Sequence, residues 1–168
     1  MIALKRILVP HDFSETSAAA VRYAVALARN FGAKLYFLHV GRQAVNEFDV
    51  EFPIGLEGAL EDGIHERLLR LVTPEEDAEL SPEFVVRSGV PAAEIVRYAE
   101  DASIDLIVIG THGRGFVGHV MMGSVAERVV RTAPCPVLTV RNSNHGFVIP
   151  DAVTQIGARA VNIRIAEG

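Results

Sequence analysis

A three-layer α/β/α fold, with a parallel sheet between two layers of helices, is predicted by two observations. Short apolar runs rich in β-branched residues alternate with longer helical patterns through residues 1–141. The run Leu106-Ile107-Val108-Ile109 has no polar alternation, as a strand buried on both faces of a parallel sheet requires. At 168 residues and 49% hydrophobic content, the chain is long enough for one domain with a full core and too short for two comfortable ones. The reading is therefore one domain over 1–141 and an extension over 142–168.

Taken in order, the first strand spans 6–10. A helix follows from Ser14, an N-cap residue with Glu15 in the first turn, through Ala18, Val21, Val25 and Ala28, and stops at Gly32. The second strand covers 34–40. Residues 41–56, rich in Gly, Asn and acidic groups, read as a loop long enough to overhang a ligand edge. A second helix is placed at about 56–72, and a strand at 83–88. The third helix covers 92–102 behind Pro91, a good first-turn residue. A strand at 105–110 leads into a glycine-rich stretch, then a helical pattern over 125–131 after Gly123-Ser124, and a last strand at 136–141. The extension opens with the turn cluster 142–146. It ends with Val161, Ile163 and Ile165 alternating with Asn162 and Arg164, one extra half-buried strand or an end that folds on a partner. Right-handed crossovers bring every strand's C-terminal end to one edge. That edge collects Pro10-His11-Asp12, His39-Val40-Gly41, Ser88-Gly89 and the loop from Gly110; the strand order is left open.

Composition narrows the function. There is no apolar run of 18 residues and no charged-then-apolar leader, so a soluble, cytoplasmic protein without a membrane partner is expected. A single cysteine, Cys135, excludes an intrachain disulfide, and its flanking prolines and apolar strand point to a small buried hydrophobe rather than a nucleophile. The net charge of −5 argues against nonspecific nucleic-acid binding.

The stretch from Gly110 to Ser124 lies between a strand and a helix, where a chain holds phosphate. Backbone N–H groups can grip a polyphosphate only where no Cβ blocks the approach, and a helix start adds free donors and the positive end of the dipole. Glycines in such a loop also serve simply to turn the chain. A Walker A mechanism is excluded because the segment has no lysine. Gly113 to Gly118 spells G-x-G-x-x-G, but it follows the fourth strand and lacks the acidic residue that a dinucleotide site needs about 20 positions on. His11, His39 and His112 share the edge, yet no metal-ligand spacing accompanies them and no metal site is assigned.

Five segments in order then carry a resemblance. They are Pro10-His11-Asp12-Phe13-Ser14, Leu38-His39-Val40, the run from Asp105 to Arg114, the run from Gly123 to Arg128, and the run from Ala133 to Leu138. Together they resemble the universal stress protein family over residues 5–141. The spacing Gly110-x2-Gly113-x9-Gly123-Ser124 is similar to that of its ATP-binding members. The resemblance implies a five-stranded parallel sheet in the order 3-2-1-4-5, with ATP or AMP across the C-terminal edge between the first and fourth strands. It implies that Asp12 meets the ribose or adenine side and the Val40 backbone meets adenine. Gly110, Gly113, Gly123 and Ser124 would hold the phosphates with help from Arg114, and Pro10, His112 and Val125 would line the same site. Mg2+ would accompany the phosphates, and a homodimer would form through the last core strand. His11 and Gly115 depart from the residues usual at their positions. The function expected is a nucleotide-binding stress-response or regulatory module without robust catalysis. The alternative is a slow ATPase or an enzyme that phosphorylates itself at Ser124, since the loop offers one arginine, a serine and no evident carboxylate base.

Overall fold

The computed structural model describes residues 3–41, 56–111 and 122–141, and among them five strands and five helices. The strands are β1 (Arg6–Pro10), β2 (Lys34–Gly41), β3 (Glu83–Ser88), β4 (Leu106–Gly110) and β5 (Val137–Val140), and the helices are α1 (Glu15–Phe31), α2 (Leu56–Leu69), α3 (Pro74–Leu80), α4 (Pro91–Asp101) and α5 (Ser124–Thr132). They form one sheet in the order β3-β2-β1-β4-β5, and every strand pair is parallel. This is the predicted three-layer fold and strand order. The loop expected at 41–56 falls largely outside the described residues, as does the extension from 142 with its possible extra strand.

Alternate residues of each central strand serve opposite faces, so the strands are apolar throughout. Ile7, Val9, Leu35, Phe37 and Val108 pack beneath α1, and Leu8, Leu38, Ile107 and Ile109 pack beneath α4 and α5. Each such side chain contributes about 1.5–3 kcal/mol by leaving water. Buried Ala20, Ala24 and Ala28 form a stripe of small residues along α1, which lets that helix lie close to the sheet.

The helix ends follow from local chemistry. Ser14 caps α1 through a reciprocal capping box with Ser17, and Gly32 ends it at φ 63°, where its N–H donates to the Ala28 carbonyl. The helix expected over 56–72 is α2, which ends at Leu69, and α3 follows as a further short helix that the sequence reading does not place. Thr73 starts α3 with a capping box to Glu76, and Pro74, which has no N–H to offer, occupies its first turn. Strand β4 begins at Leu106 rather than 105, because the Asp105 carboxylate accepts from the amides of Lys5 and Arg6 at 2.8 and 2.9 Å and ties β4 to the start of β1. Strand β2 continues one residue further than expected, to Gly41, and β5 is shorter than the predicted 136–141.

Candidate nucleotide site at the sheet edge

The chain moves outward from β1 to β2 to β3, then crosses back to β4 and on to β5, so the strand order reverses between β1 and β4. Crevices outside the C-terminal ends of strands at such a reversal are where α/β sheets bind ligands. Pro10 and Asp12 lie at the end of β1, Val40 near the end of β2, Gly110 at the end of β4, and Gly123, Ser124 and Val125 at the start of α5. His112, Gly113 and Arg114 lie outside the described residues.

Asp12 is fixed by the helix that follows it. Its Oδ1 accepts from the Ser14 N–H at 3.1 Å and from the Ser14 hydroxyl at 2.6 Å. Burial alone would push the carboxyl up. The hydrogen bonds from Ser14 and Ser17 and the proximity of His11 outweigh it and hold Asp12 below the usual carboxylate range. Asp12 is therefore an anion at neutral pH that can only accept hydrogen bonds.

At Val40 the ladder explains what the sequence could not. The Leu38 carbonyl faces β1 and accepts from the His11 N–H at 2.9 Å, whereas the Gly41 carbonyl faces β3 and accepts from the Gly89 N–H at 3.0 Å. Strand groups alternate, so the N–H and C=O of Val40 point the same way as those of Leu38. By that level β1 has ended at Pro10, so the Val40 backbone faces the crevice.

The β4 end holds two glycine-flanked features with different causes. A Cβ on Gly110 would stand 2.8 Å from the backbone carbon and oxygen of Thr16 and 2.9 Å from the Ser17 nitrogen. Glycine there is required by the first turn of α1 lying against β4, a role that the sequence alone does not assign to it. Thr111, which carries no signal in the sequence, is buried and clasps both sides: its N–H donates to the Val140 carbonyl at 2.8 Å, and its carbonyl accepts from the Gly123 N–H. Main-chain bonds thus join the end of β4 to β5 and to the start of α5. Helix α5 begins without a side-chain cap, unlike α1 and α3. Its first-turn amides, from Ser124 onward, have no side-chain cap, and the helix dipole places partial positive charge there.

The sequence pattern of the universal stress protein family matches residues 3–141. The chain belongs to the universal stress protein family. It is 36% identical over 146 residues to universal stress protein MJ0531 of Methanocaldococcus jannaschii, an alignment covering 82% of each chain. The solved structure of MJ0577, also from M. jannaschii, superposes with a TM-score of 0.70 at 29% identity and covers 85% of this chain and 99% of that one. A universal stress protein from Archaeoglobus fulgidus, solved in complex with dAMP, has a TM-score of 0.55 at 23% identity, over 83% of this chain and 99% of its own. At that identity the likeness is one of fold.

In this universal stress protein the other reactive side chains have structural duties. The His39 ring donates from Nδ1 to the His11 carbonyl at 2.8 Å. Cys135 is half-buried, and burial, with the negative charge of Asp105, pushes its thiol up, so it is not poised as a nucleophile. Among the described residues, no helix is long and apolar enough to cross a membrane.

Proposed function

We propose that this universal stress protein binds ATP in the crevice outside β1 and β4 and acts as a stress-response or regulatory nucleotide-binding module. The observation that carries the reading is the uncapped start of α5, set across the strand-order reversal from an ionised, hydrogen-bonded Asp12. Gly123 has φ −67° and ψ 149°, a conformation open to any residue. Its lack of a side chain therefore serves space rather than backbone geometry, as an approaching phosphate needs.

The residues take complementary parts in this reading. The first-turn amides of α5, with Ser124 and Val125, hold the phosphates together with Gly113, Arg114 and His112, and Mg2+ enters on the phosphate oxygens. Both bonds from Ser14 converge on Asp12 Oδ1, and the carboxylate meets a ribose hydroxyl. The Val40 N–H and C=O read the adenine edge, and Pro10 lines its face. The A. fulgidus relative solved with dAMP supports an adenine mononucleotide on this fold. A second copy is expected along β5, an edge strand with Leu138 exposed on it and Val130 exposed on the neighbouring α5.

Titration calorimetry of nucleotide-stripped protein with ATP, AMP and NAD at matched Mg2+ tests the site. Saturable ATP binding without ADP in the recovered sample is the expected result. ADP accumulation would instead favour turnover, and no heat with any nucleotide would overturn the site.

A further inference from the structure

The turn that carries Asp12 is held from a distant helix. Phe13, between Asp12 and the helix cap Ser14, stands at φ 63°, a left-handed conformation that a bulky side chain keeps only when its surroundings hold it there. Contacts to its backbone and ring do so, among them the His11 ring packed edge-on with centroids 5.1 Å apart. The Phe13 N–H donates to His11 Nδ1 at 3.0 Å. Its ring packs against the His39 ring with centroids 4.8 Å apart and planes at 38°. The guanidinium carbon of Arg67, on α2, lies 3.9 Å from the Phe13 ring centroid, well within cation–π range. His39 is itself anchored to the His11 carbonyl. The two histidines brace the turn from β1 and β2, and Arg67 is the brace supplied by a helix.

We propose that Arg67 is a positioning residue for the nucleotide: by clamping Phe13 in its left-handed conformation it fixes the Asp12 carboxylate where the nucleoside must meet it. The proposal rests on the ATP reading above and deepens it. It differs from direct attraction of phosphate by a nearby cation, because the guanidinium acts through the Phe13 ring and so governs the nucleoside half of the ligand. Displacement of α2 would, by the same contact, loosen the site.

The test has two arms. In nucleotide-free protein, amide exchange at Ser14 and Ser17 is compared between wild type and Arg67→Ala. Loss of the clamp is expected to speed it about two- to fivefold, the range to which an exposed cation–π contact converts at 1.4 kcal/mol per factor of ten. In the second arm, ATP and inorganic triphosphate are titrated into wild type, Arg67→Ala, Phe13→Gly and the double variant. Arg67→Ala is expected to weaken ATP by a similar factor and to leave triphosphate unchanged. It should have no further effect once Phe13 is glycine, which enters the left-handed region unaided. Equal losses for ATP and triphosphate, unchanged exchange, or an undiminished Arg67→Ala effect in the Phe13→Gly background would each overturn the proposal. Failure of wild type to bind ATP would sink the proposed function instead, and the exchange arm, which needs only a change at an exposed position, would still decide whether Arg67 orders the turn.

Discussion

At the residue scale, Gly110 and Gly123 are expected to separate folding from the proposed binding. Gly110→Ala forces a Cβ to within 2.8 Å of the α1 backbone, and that helix cannot give way as a flexible side chain could. It is expected to cost about 1–3 kcal/mol, read as a lower urea midpoint at unchanged slope. Gly123→Val places its side chain in an ordinary conformation but at the N-cap of α5, where Val is poorer than Gly, so it should cost about 1 kcal/mol of stability, leaving the domain folded, while ATP binding is lost. A Gly123→Val protein that binds ATP normally would remove α5 from the site. Both glycines are visible in the sequence, and the family resemblance makes phosphate contacts of both. The difference lies in what a side chain would strike, which needs the position of α1 against β4.

Asp12 adds a pH dependence whose sign is fixed. Its carboxyl lies lower in the folded protein than the ordinary 3.8, so the unfolded chain binds the proton more readily. The stabilisation is complete above that ordinary value and is lost as pH falls through the folded one. Asp12→Asn removes the titrating group. The stability difference between wild type and Asp12→Asn should be constant from neutral pH down to about 5 and then shrink with further acidification; a difference that grows on acidification would contradict the hydrogen bonding described for Asp12.

At the element scale, helix boundaries are legible where a side chain announces them. Ser14 and Gly32 bound α1 as their chemistry dictates. Thr73-Pro74-Glu75-Glu76 is an equally explicit start signal, yet the second helix is predicted to end at about 72 and no element is placed before the strand at 83, because the seven residues of α3 bury none of their side chains and so carry no apolar periodicity. Thr73→Ala should cost about 1 kcal/mol and expose the α3 amides to faster exchange before any other helix responds. The role of Val40 is readable in the sequence only as a likeness. Which way its amide points depends on strand register, a property of two strands together that neither run of residues contains. Arg67 gives no signal at all, since Phe13 precedes α1 and β2 in the chain and only folding brings a helix cation onto that ring.

At the scale of the whole molecule, uninterrupted apolar strands and alternating helices are enough to predict the layers, because only a sheet covered on both faces can bury Leu106 to Ile109. The order of the strands comes from resemblance, since apolar runs do not record their neighbours. That order creates the crevice, and with it a link between ligand and global stability. ATP at a hundredfold excess over its dissociation constant should add about 2.7 kcal/mol to the folded state. For a domain of this size that corresponds to a rise of roughly 5–10 °C in melting temperature. The rise should vanish in Gly123→Val and persist in Thr73→Ala.

Thr111 gives the molecule a further property. Its carbonyl and amide join the last residue of β5 to the residue before α5, so among the described residues sheet and helix are linked through the main chain. On the proposed reading, exchanging residues 112–121 for those of another family member should retune which anion is held while the rest of the domain melts at the same temperature as before.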